Sequence, residues 1–308
     1  MSLRTIRELL AARRQPLLSL EFYPPKDPLG FGILGGSIER MRPVHPDFVT
    51  CTYGAGGSSR EFSFAAWELL GRMGFTPVVA HLTCVGASRA DLAAQIDRIH
   101  AAGIRNIMAL RGDPPRGETE FKPAPDGLAH AADLVALVKA RHPDICCGVA
   151  GYPETHPEAP DLATDLRHLK AKVAAGADFI NTQLFFDNAV YFRFLDAARA
   201  AGIQTPILPG LMPVASGAQL DRSLAFSRAT APQKLRAALD TPDPEAARRA
   251  GIAWLVEQID GLIANGAPGI HLYILNQART LLDPRLADCL ARWRAVPPDP
   301  RTLNPRKD

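Results

Sequence analysis

Short apolar runs recur along the chain, separated by longer segments in which apolar and polar residues alternate. Runs of this length that are apolar at almost every position are typical of strands buried on both faces of a sheet. Eight of them predict eight β-strands, at residues 16–22, 48–53, 77–84, 106–112, 145–152, 179–186, 206–213 and 269–275.

The segments between most of these runs have the periodicity of helices. In the segment 88–102, for example, Leu92, Ile96 and Ile99 recur at helical spacing. Several segments end at a glycine before the next run, as AAGI does at 101–104, and glycine commonly terminates helices. Strands that alternate with helices indicate a parallel sheet, and eight such units favour closure into a (β/α)8 TIM barrel of the α/β class.

A doubly wound open sheet is the structural alternative. Its usual dinucleotide signature, GxGxxG after the first strand, has only one candidate here, GAGGSS at 54–59. That segment follows the second predicted strand and lacks the last glycine, and no Walker phosphate loop is present. These features favour the barrel.

No clear linker divides the chain, so we predict a single TIM-barrel catalytic domain over residues 1–308. Within it we predict an N-terminal helix at 1–15, a helical insertion between strands 7 and 8 at 217–265, and a proline-rich tail at 295–308.

Composition indicates a small-molecule ligand. The 308 residues include 35 Lys and Arg against 32 Asp and Glu, a net charge of +3, which is too balanced to indicate a nucleic-acid or membrane partner. No apolar run reaches the roughly 18 residues of a membrane span. The five cysteines are odd in number and form no metal-ligand spacing, so we expect buried free thiols and no metal. We also expect a cytoplasmic protein, and a homo-oligomer stays open. They are Cys51, Cys84, Cys146, Cys147 and Cys289.

The first predicted strand, in PLLSLEFYPPK, carries an acid among apolar residues. A carboxylate that is buried without compensation costs several kcal/mol, so Glu21 either has a raised pKa or has a partner. Pro24 and Pro25 end the strand directly after it.

Other polar residues lie within or directly after the predicted strands. Each has an ordinary structural explanation, such as an ion pair between Arg111 and Asp113, but their shared location does not follow from those explanations. Catalytic groups of TIM barrels lie at the carboxyl ends of the strands. The residues at these positions are Glu21, Thr52, Tyr53, His81, Thr83, Arg111, Gly112, Asp113, Tyr152, Glu154, His156, Gln183, Tyr273, Asn276 and Gln277.

Motifs over nearly the whole chain resemble the methylenetetrahydrofolate reductase family, in its bacterial form that consists of a catalytic domain only. They occur in the same order as in the family. The motifs are SLEFYPP (19–25), TCTYGAGGS (50–58), AHLTC (80–84), ALRGDPP (109–115), GYPETHPEA (151–159), DLRHLKAKVAAGADFINTQLFFD (165–187), LPGLMPV (208–214) and HLYILNQA (271–278).

The resemblance implies a flavoprotein in which NADH or NADPH reduces FAD and the reduced flavin reduces 5,10-methylenetetrahydrofolate to 5-methyltetrahydrofolate. Glu21 matches the family's general acid, which protonates N10, and we expect its pKa to be raised by burial. Asp113 matches the aspartate that stabilises the cationic folate. Gln183 matches the residue that contacts both pterin and nicotinamide, so ping-pong kinetics are implied.

The resemblance also assigns the remaining binding residues. The substrate-binding positions are Glu21, Asp113, Gln183, Gln219, Tyr273 and Gln277. The positions that match FAD-binding residues are Thr52, Tyr53, Ala55, His81, Arg111, Gly112, Asp113, Ala131, Tyr152, His156, Ala159, Asp165, His168 and Lys172. Asp165, His168 and Lys172 are spaced to lie along one face of a helix.

Three positions depart from the family pattern. Gln277 replaces a common arginine, Ser223 replaces an aromatic residue that stacks on the substrates, and His130 replaces a tyrosine near the flavin. Phe226, one turn after Ser223, is a candidate substitute.

Two alternatives to the flavin-dependent reductase stay open at this point. One is a related folate enzyme that is flavin-free or runs in the oxidising direction. The other is a non-catalytic flavin-binding subunit, suggested by Gln277 and Ser223, although Glu21, Asp113 and Gln183 are retained.

Overall fold

The computed structural model describes residues 5–13, 15–53, 60–114, 117–118 and 120–295. Strands and helices alternate through this part of the chain. The strands are β1 (Leu17–Phe22), β2 (Phe48–Cys51), β3 (Val78–Thr83), β4 (Asn106–Leu110), β5 (Cys146–Gly151), β6 (Phe179–Leu184), β7 (Ile207–Leu211) and β8 (Gly269–Tyr273). The helices are α1 (Ile6–Ala12), α2 (Gly30–Met41), α3 (Arg60–Arg72), α4 (Arg89–Ala101), α5 (Ala131–Arg141), α6 (Leu162–Ala174), α7 (Asn188–Ala200), α8 (Gly217–Ser227), α9 (Gln233–Leu239), α10 (Pro244–Ala264), α11 (Ala278–Leu281) and α12 (Pro284–Ala295).

The eight strands form one closed parallel barrel in sequence order. β1 pairs with β8 in the register that places Ser19 beside His271 and Glu21 beside Tyr273. The predicted TIM barrel is therefore confirmed, and the open sheet is excluded because β1 and β8 pair with each other instead of forming two edges.

Both faces of the strands are buried, which explains why the sequence shows continuous apolar runs. Every residue of β1 is buried, and Leu18, Leu20 and Phe22 pack in the main core between the barrel and its helices. The alternate residues of the strand face the barrel interior, because side chains alternate along a strand.

The lower half of the interior is an apolar floor sealed by α1. Ile6 and Leu10 of α1 pack on the inward-facing residues Leu17, Phe48, Val79, Met108, Cys146, Phe179 and Leu208. Thr5 begins the helix with a capping box that includes Glu8, and the backbone N–H of Ile6 donates to Asn106 Oδ1 at 2.8 Å. This end of the barrel is closed, so ligands must enter from the carboxyl ends of the strands.

The predicted insertion between β7 and β8 contains α8, α9 and α10. A satellite core that includes Met212, Leu220, Leu235 and Leu239 packs these helices above the barrel rim. None of the helices in the described part of the chain has both the length and the apolar composition needed to cross a bilayer. The five cysteines are buried free thiols, as expected.

We predict that Gly148→Ala destabilises the barrel by about 1–3 kcal/mol, because the new methyl group overpacks the floor. A Cβ at Gly148 would collide with the ring of Phe179 and with Met108 Cε. Denaturant unfolding measures the change. Gly35→Ala in α2 is the control, because nothing lies within 4 Å of its Cβ position, and it should stabilise the helix by up to about 1 kcal/mol. Equal stability of the two variants would contradict the close packing of the floor.

Candidate active site

The barrel interior becomes polar above the apolar floor. Glu21 on β1, Thr50 on β2, His81 on β3 and His271 on β8 are all buried and face the same interior. Water-excluded polar groups at this level need one another as partners, since a buried unpaired group costs about 1–3 kcal/mol. The cluster lies toward the end of the barrel at which TIM barrels carry their active sites.

Glu21 is the centre of this cluster. Its side chain is only 5% exposed, and Oε2 lies 3.3 Å from Nε2 of His271 and 3.4 Å from the hydroxyl of Thr50. Nε2 of His81 lies 3.6 Å from the same oxygen, at ion-pair distance but beyond a hydrogen bond. The buried acid therefore has partners on three other strands.

The pKa of Glu21 lies below its usual value, so the expectation of a raised pKa is wrong. Burial raises the pKa of this carboxyl, but the hydrogen bond with His271 and the interactions with His81 and Thr50 lower it by more. These partners lie on strands far apart in the sequence, and only barrel closure brings them to Glu21.

His271 was not identified as a site residue from the sequence. Its only sequence signal is its position in HLYILNQA, two residues before Tyr273 and hence on the same face of β8. Its Nδ1 lies 2.8 Å from the Ser19 hydroxyl, which donates to the carbonyl oxygen of Ile270 at 3.3 Å. The contact with Ser19 orients the imidazole so that Nε2 faces Glu21, and the tautomer decides which ring nitrogen donates.

His81 is uncharged at neutral pH. Burial lowers the pKa of its imidazole to about 4, although the charge of Glu21 opposes this effect. His81 is only 6% exposed, and its Nε2 has no hydrogen-bond partner among the described residues. A buried ring nitrogen of this kind is expected to have a partner when the site is filled.

A second polar cluster lies beside β4, β5 and α6. The Arg111 guanidinium donates to Glu158, with Nη2 2.7 Å from Oε1, and faces the ring of Phe121. Lys172 donates from Nζ to the carbonyl oxygen of Ala150 at 2.7 Å, and burial lowers its pKa to about 8. The Asp165 carboxylate accepts from the backbone N–H of His156 at 2.9 Å. Two basic side chains thus lie near each other, Arg111 paired with Glu158 and Lys172 held on the backbone of β5.

The three residues predicted to lie along one face of α6 differ in their exposure. Asp165 is buried and Lys172 is partly buried, but His168 between them is exposed. A residue three positions after Asp165 lies at the edge of that face, because three residues turn a helix by less than a full turn.

The other residues predicted to bind FAD lie in loops around the mouth or near it. Thr52 and Tyr53 follow β2, and the Tyr53 hydroxyl donates to Gln95. Arg111, Gly112 and Asp113 follow β4, where Asp113 is exposed and Gly112 has φ +89°. Ala131 begins α5, and Ala159 precedes α6. Tyr152 and His156 follow β5 with their rings 4.6 Å apart. Ala55 lies outside the described residues.

Gln183 is positioned by an irregularity in β6. The pairing of β6 with β7 shifts between Asn181 and Leu184, as it does where an extra residue is accommodated. Gln183 Oε1 accepts from the backbone N–H of Leu184 at 2.9 Å. The amide oxygen is therefore used within the strand, and among the described residues no hydrogen bond from the NH2 group is seen.

The other three candidate substrate residues differ in availability. Both polar atoms of the Gln219 amide are used inside its own loop, with Oε1 accepting from Ala215 N–H and Nε2 donating to the Pro213 carbonyl. The Tyr273 hydroxyl donates to the carbonyl of Thr182 at 2.7 Å. Gln277 is exposed at the start of α11. Of these, Gln277 has the most solvent-accessible side chain.

The other two positions that depart from the family pattern are Ser223, within α8, and His130, directly before α5. Ser223 is buried in α8 and donates to the Gln219 carbonyl at 2.9 Å, whereas Phe226 is 59% exposed on another face of the helix. His130 precedes α5 as its N-cap residue. Phe226 and Ser223 therefore do not occupy equivalent places.

A closed (β/α)8 barrel with a buried acid and histidine at the open end is the arrangement of a TIM-barrel enzyme. Comparison with known proteins identifies the family. A family model described as methylenetetrahydrofolate reductase matches residues 5–283. The chain belongs to the methylenetetrahydrofolate reductase family.

Relatives from bacteria, plants and yeast support the assignment. The chain is 36% identical to 5,10-methylenetetrahydrofolate reductase of Pectobacterium carotovorum subsp. carotovorum, with 85% of this chain and 86% of that protein covered. It is 36% identical to methylenetetrahydrofolate reductase (NADH) 1 of Arabidopsis thaliana, with 85% of this chain and 46% of that protein covered. The chain thus spans about half the length of the plant relative, and 43% of a Schizosaccharomyces pombe relative that is 38% identical.

A solved structure shares the fold at low sequence identity. It is described as an uncharacterized protein from Clostridium thermocellum that binds two copies of 5-methyl-5,6,7,8-tetrahydrofolic acid. The TM-score is 0.61 at 13% identity, and the match covers 94% of this chain and 98% of that one.

We predict that the buried, uncharged state of His81 makes the protein less stable in mild acid. The unfolded chain takes up a proton near pH 6.5 and the folded chain only near pH 4, so stability falls as the pH drops between these values. The variant His81→Gln removes this linkage. The free energy of unfolding that is lost between pH 7 and pH 5 should therefore be smaller by about 2 kcal/mol than in the wild type.

Denaturant unfolding at a series of pH values measures the effect. The control is His45→Gln, since His45 is exposed and away from the barrel interior, and it should keep the pH dependence of the wild type. A His81→Gln profile parallel to the wild-type profile would show that His81 does not titrate differently on folding.

Proposed function

We propose that this chain reduces 5,10-methylenetetrahydrofolate to 5-methyltetrahydrofolate with NADH or NADPH, through bound FAD. The observation that carries the proposal is the buried contact between Glu21 and His271, which provides the proton donor that opening of the folate ring needs. Family membership supports the reaction. The Clostridium thermocellum protein, which binds 5-methyl-5,6,7,8-tetrahydrofolic acid, supports a folate ligand for this fold.

The residues of the site fit FAD. Arg111 and Lys172 supply the positive charge that a diphosphate requires, and His81 has a buried ring nitrogen without a partner among the described residues. Tyr152 and His156 form an aromatic pair beside them. When bound, FAD supplies hydride transfer between the nicotinamide cofactor and the folate.

Glu21 and His271 supply the proton. Glu21 Oε2 and His271 Nε2 are the two atoms of the pair that can carry a proton, and they lie 3.3 Å apart. The pair gives this proton to N10 of the folate as the five-membered ring opens.

Asp113 and Gln183 orient and stabilise the ring systems. Asp113 is exposed after β4, where its charge stabilises the cationic folate that accepts hydride. Gln183 donates from its NH2 group to the pterin or to the nicotinamide carboxamide. If both substrates use this single donor in turn, ping-pong kinetics follow.

We predict that Glu21→Gln abolishes most folate reduction but leaves reduction of FAD by the nicotinamide cofactor within about twofold of the wild type. Only the folate half-reaction needs the acid, and loss of a general acid costs about 10²–10⁴-fold. Anaerobic stopped-flow absorbance measures both half-reactions separately, with NADH, NADPH and methylenetetrahydrofolate mixed one at a time.

The control is Glu68→Gln, an exposed carboxylate on α3, which should leave both half-reactions unchanged. Equal slowing of both halves in Glu21→Gln would assign Glu21 a positioning role. Wild-type protein purified without flavin absorbance would refute the proposed cofactor, and flavin-loaded protein that turns over neither substrate would refute the proposed activity.

Asp113→Asn should slow the folate half-reaction by about 10–100-fold without release of FAD, because it removes a charge that acts on the cationic substrate. Stopped-flow rates and the flavin-to-protein absorbance ratio measure the two effects. Recovery of apoprotein would instead mean that Asp113 holds the cofactor.

A further inference from the structure

The ends of β1 and β8 remain joined beyond the last paired residues of the barrel. Alternate residues of β1 direct their backbone groups toward β8, as Leu17 does when its N–H donates to the Pro268 carbonyl at 3.1 Å. The strand pairing ends with Glu21 beside Tyr273. Tyr23 is the next residue whose backbone faces that edge, and it has no strand residue opposite it.

A single side chain occupies the place of the missing strand residue. Asn276 Oδ1 accepts from the backbone N–H of Tyr23 at 2.9 Å, and Asn276 Nδ2 donates to the Tyr23 carbonyl at 3.0 Å. The carboxamide satisfies both backbone groups of Tyr23 and so continues the hydrogen-bond pattern between the two strands. We call this pair of hydrogen bonds between Asn276 and Tyr23 the clamp.

The backbone around Asn276 is strained in a way that the clamp must compensate. Leu275 has φ +49° and Asn276 has φ +57°, the left-handed region, which costs roughly 1–2 kcal/mol for residues with a side chain. Asparagine tolerates this region better than most residues. Two consecutive residues of this kind persist only when other contacts hold them.

We propose that Asn276 is a positioning residue that holds Glu21 within hydrogen-bonding distance of His271. Glu21 lies two residues before Tyr23, and His271 lies five residues before Asn276, so the clamp joins the two segments that carry the pair. The Nε2 to Oε2 distance of 3.3 Å is near the limit of a hydrogen bond. A small separation of the strand ends would break the contact.

The kinetic consequence rests on the proposed function. Without the clamp, Glu21 and His271 separate and Glu21 loses a hydrogen bond that lowers its pKa, so the folate half-reaction slows and its pH profile shifts. The titratable groups that face Glu21 are His271 and His81, with the hydroxyls of Tyr23 and Tyr273 and the thiol of Cys51 also acting on it through charge.

Asn276→Gly is the test variant, because glycine adopts positive φ freely and only the carboxamide is lost. We expect the folate half-reaction to fall about 10–100-fold, as small misplacements of catalytic groups do, with a shifted pH profile. Reduction of FAD by the nicotinamide cofactor and the FAD content should not change. Asn276→Asp keeps the acceptor for Tyr23 N–H but loses the donor to the Tyr23 carbonyl. Its rate in the folate half-reaction should therefore lie between those of the wild type and Asn276→Gly.

Asn265→Gly is the matched control, since Asn265 ends α10 and donates to the Gly261 carbonyl on the exterior. It should leave both half-reactions unchanged. A wild-type folate rate and pH profile in Asn276→Gly would overturn the inference, and so would equal slowing of both half-reactions or loss of FAD.

Nitrogen NMR of the histidine side chains separates this inference from the proposed function. The His271 Nε2 signal, which reports the contact with Glu21, should change in Asn276→Gly, whether or not the protein reduces folate. An unchanged His271 signal in Asn276→Gly would overturn the positioning role even if the reductase activity were established.

Discussion

The pairing of β1 with β8 is the contact on which both the fold and the candidate site depend. It removes the two edges that an open sheet would leave, and it joins residues separated by about 250 positions in the chain. Glu21 and His271 face each other only because this pairing has one register, with Ser19 beside His271. A shift of one residue would turn either side chain out of the interior.

Closure also divides the interior into two halves with different chemistry. The lower half is apolar and is sealed by Ile6 and Leu10 of α1, so water enters only from above. The upper half has the polar groups, and the low dielectric around them makes their mutual contacts strong. A buried carboxylate there is tolerable because two imidazoles and a hydroxyl surround it.

The rim above these groups is held by side chains that bond to the backbone of neighbouring loops. Glu154 accepts from the backbone N–H and the hydroxyl of Thr230, which ties the loop after β5 to the one between α8 and α9. Asn276 ties the ends of β8 and β1. Residues with positive φ lie near both ties, at Thr155, Arg228, Leu275 and Asn276. Strain of this kind collects around ligand sites, where surrounding contacts hold it in place.

The order of the strands and the end of the barrel that carries the site could be predicted from the sequence. Both depend on local patterns: apolar runs alternate with helical segments, and polar residues such as Glu21, Arg111 and Gln183 lie at or near the ends of those runs. The resemblance of the motifs was sufficient to predict the family that the comparisons confirm.

The protonation of Glu21, its partner His271 and the internal use of the Gln219 amide depend on atoms that meet only after the chain has closed. The pKa of a buried acid is set by what lies within a few ångströms of it, and here those groups come from three other strands. The local sequence determined where Glu21 lies in its strand. The tertiary structure decided its charge, because closure of the barrel selects its neighbours.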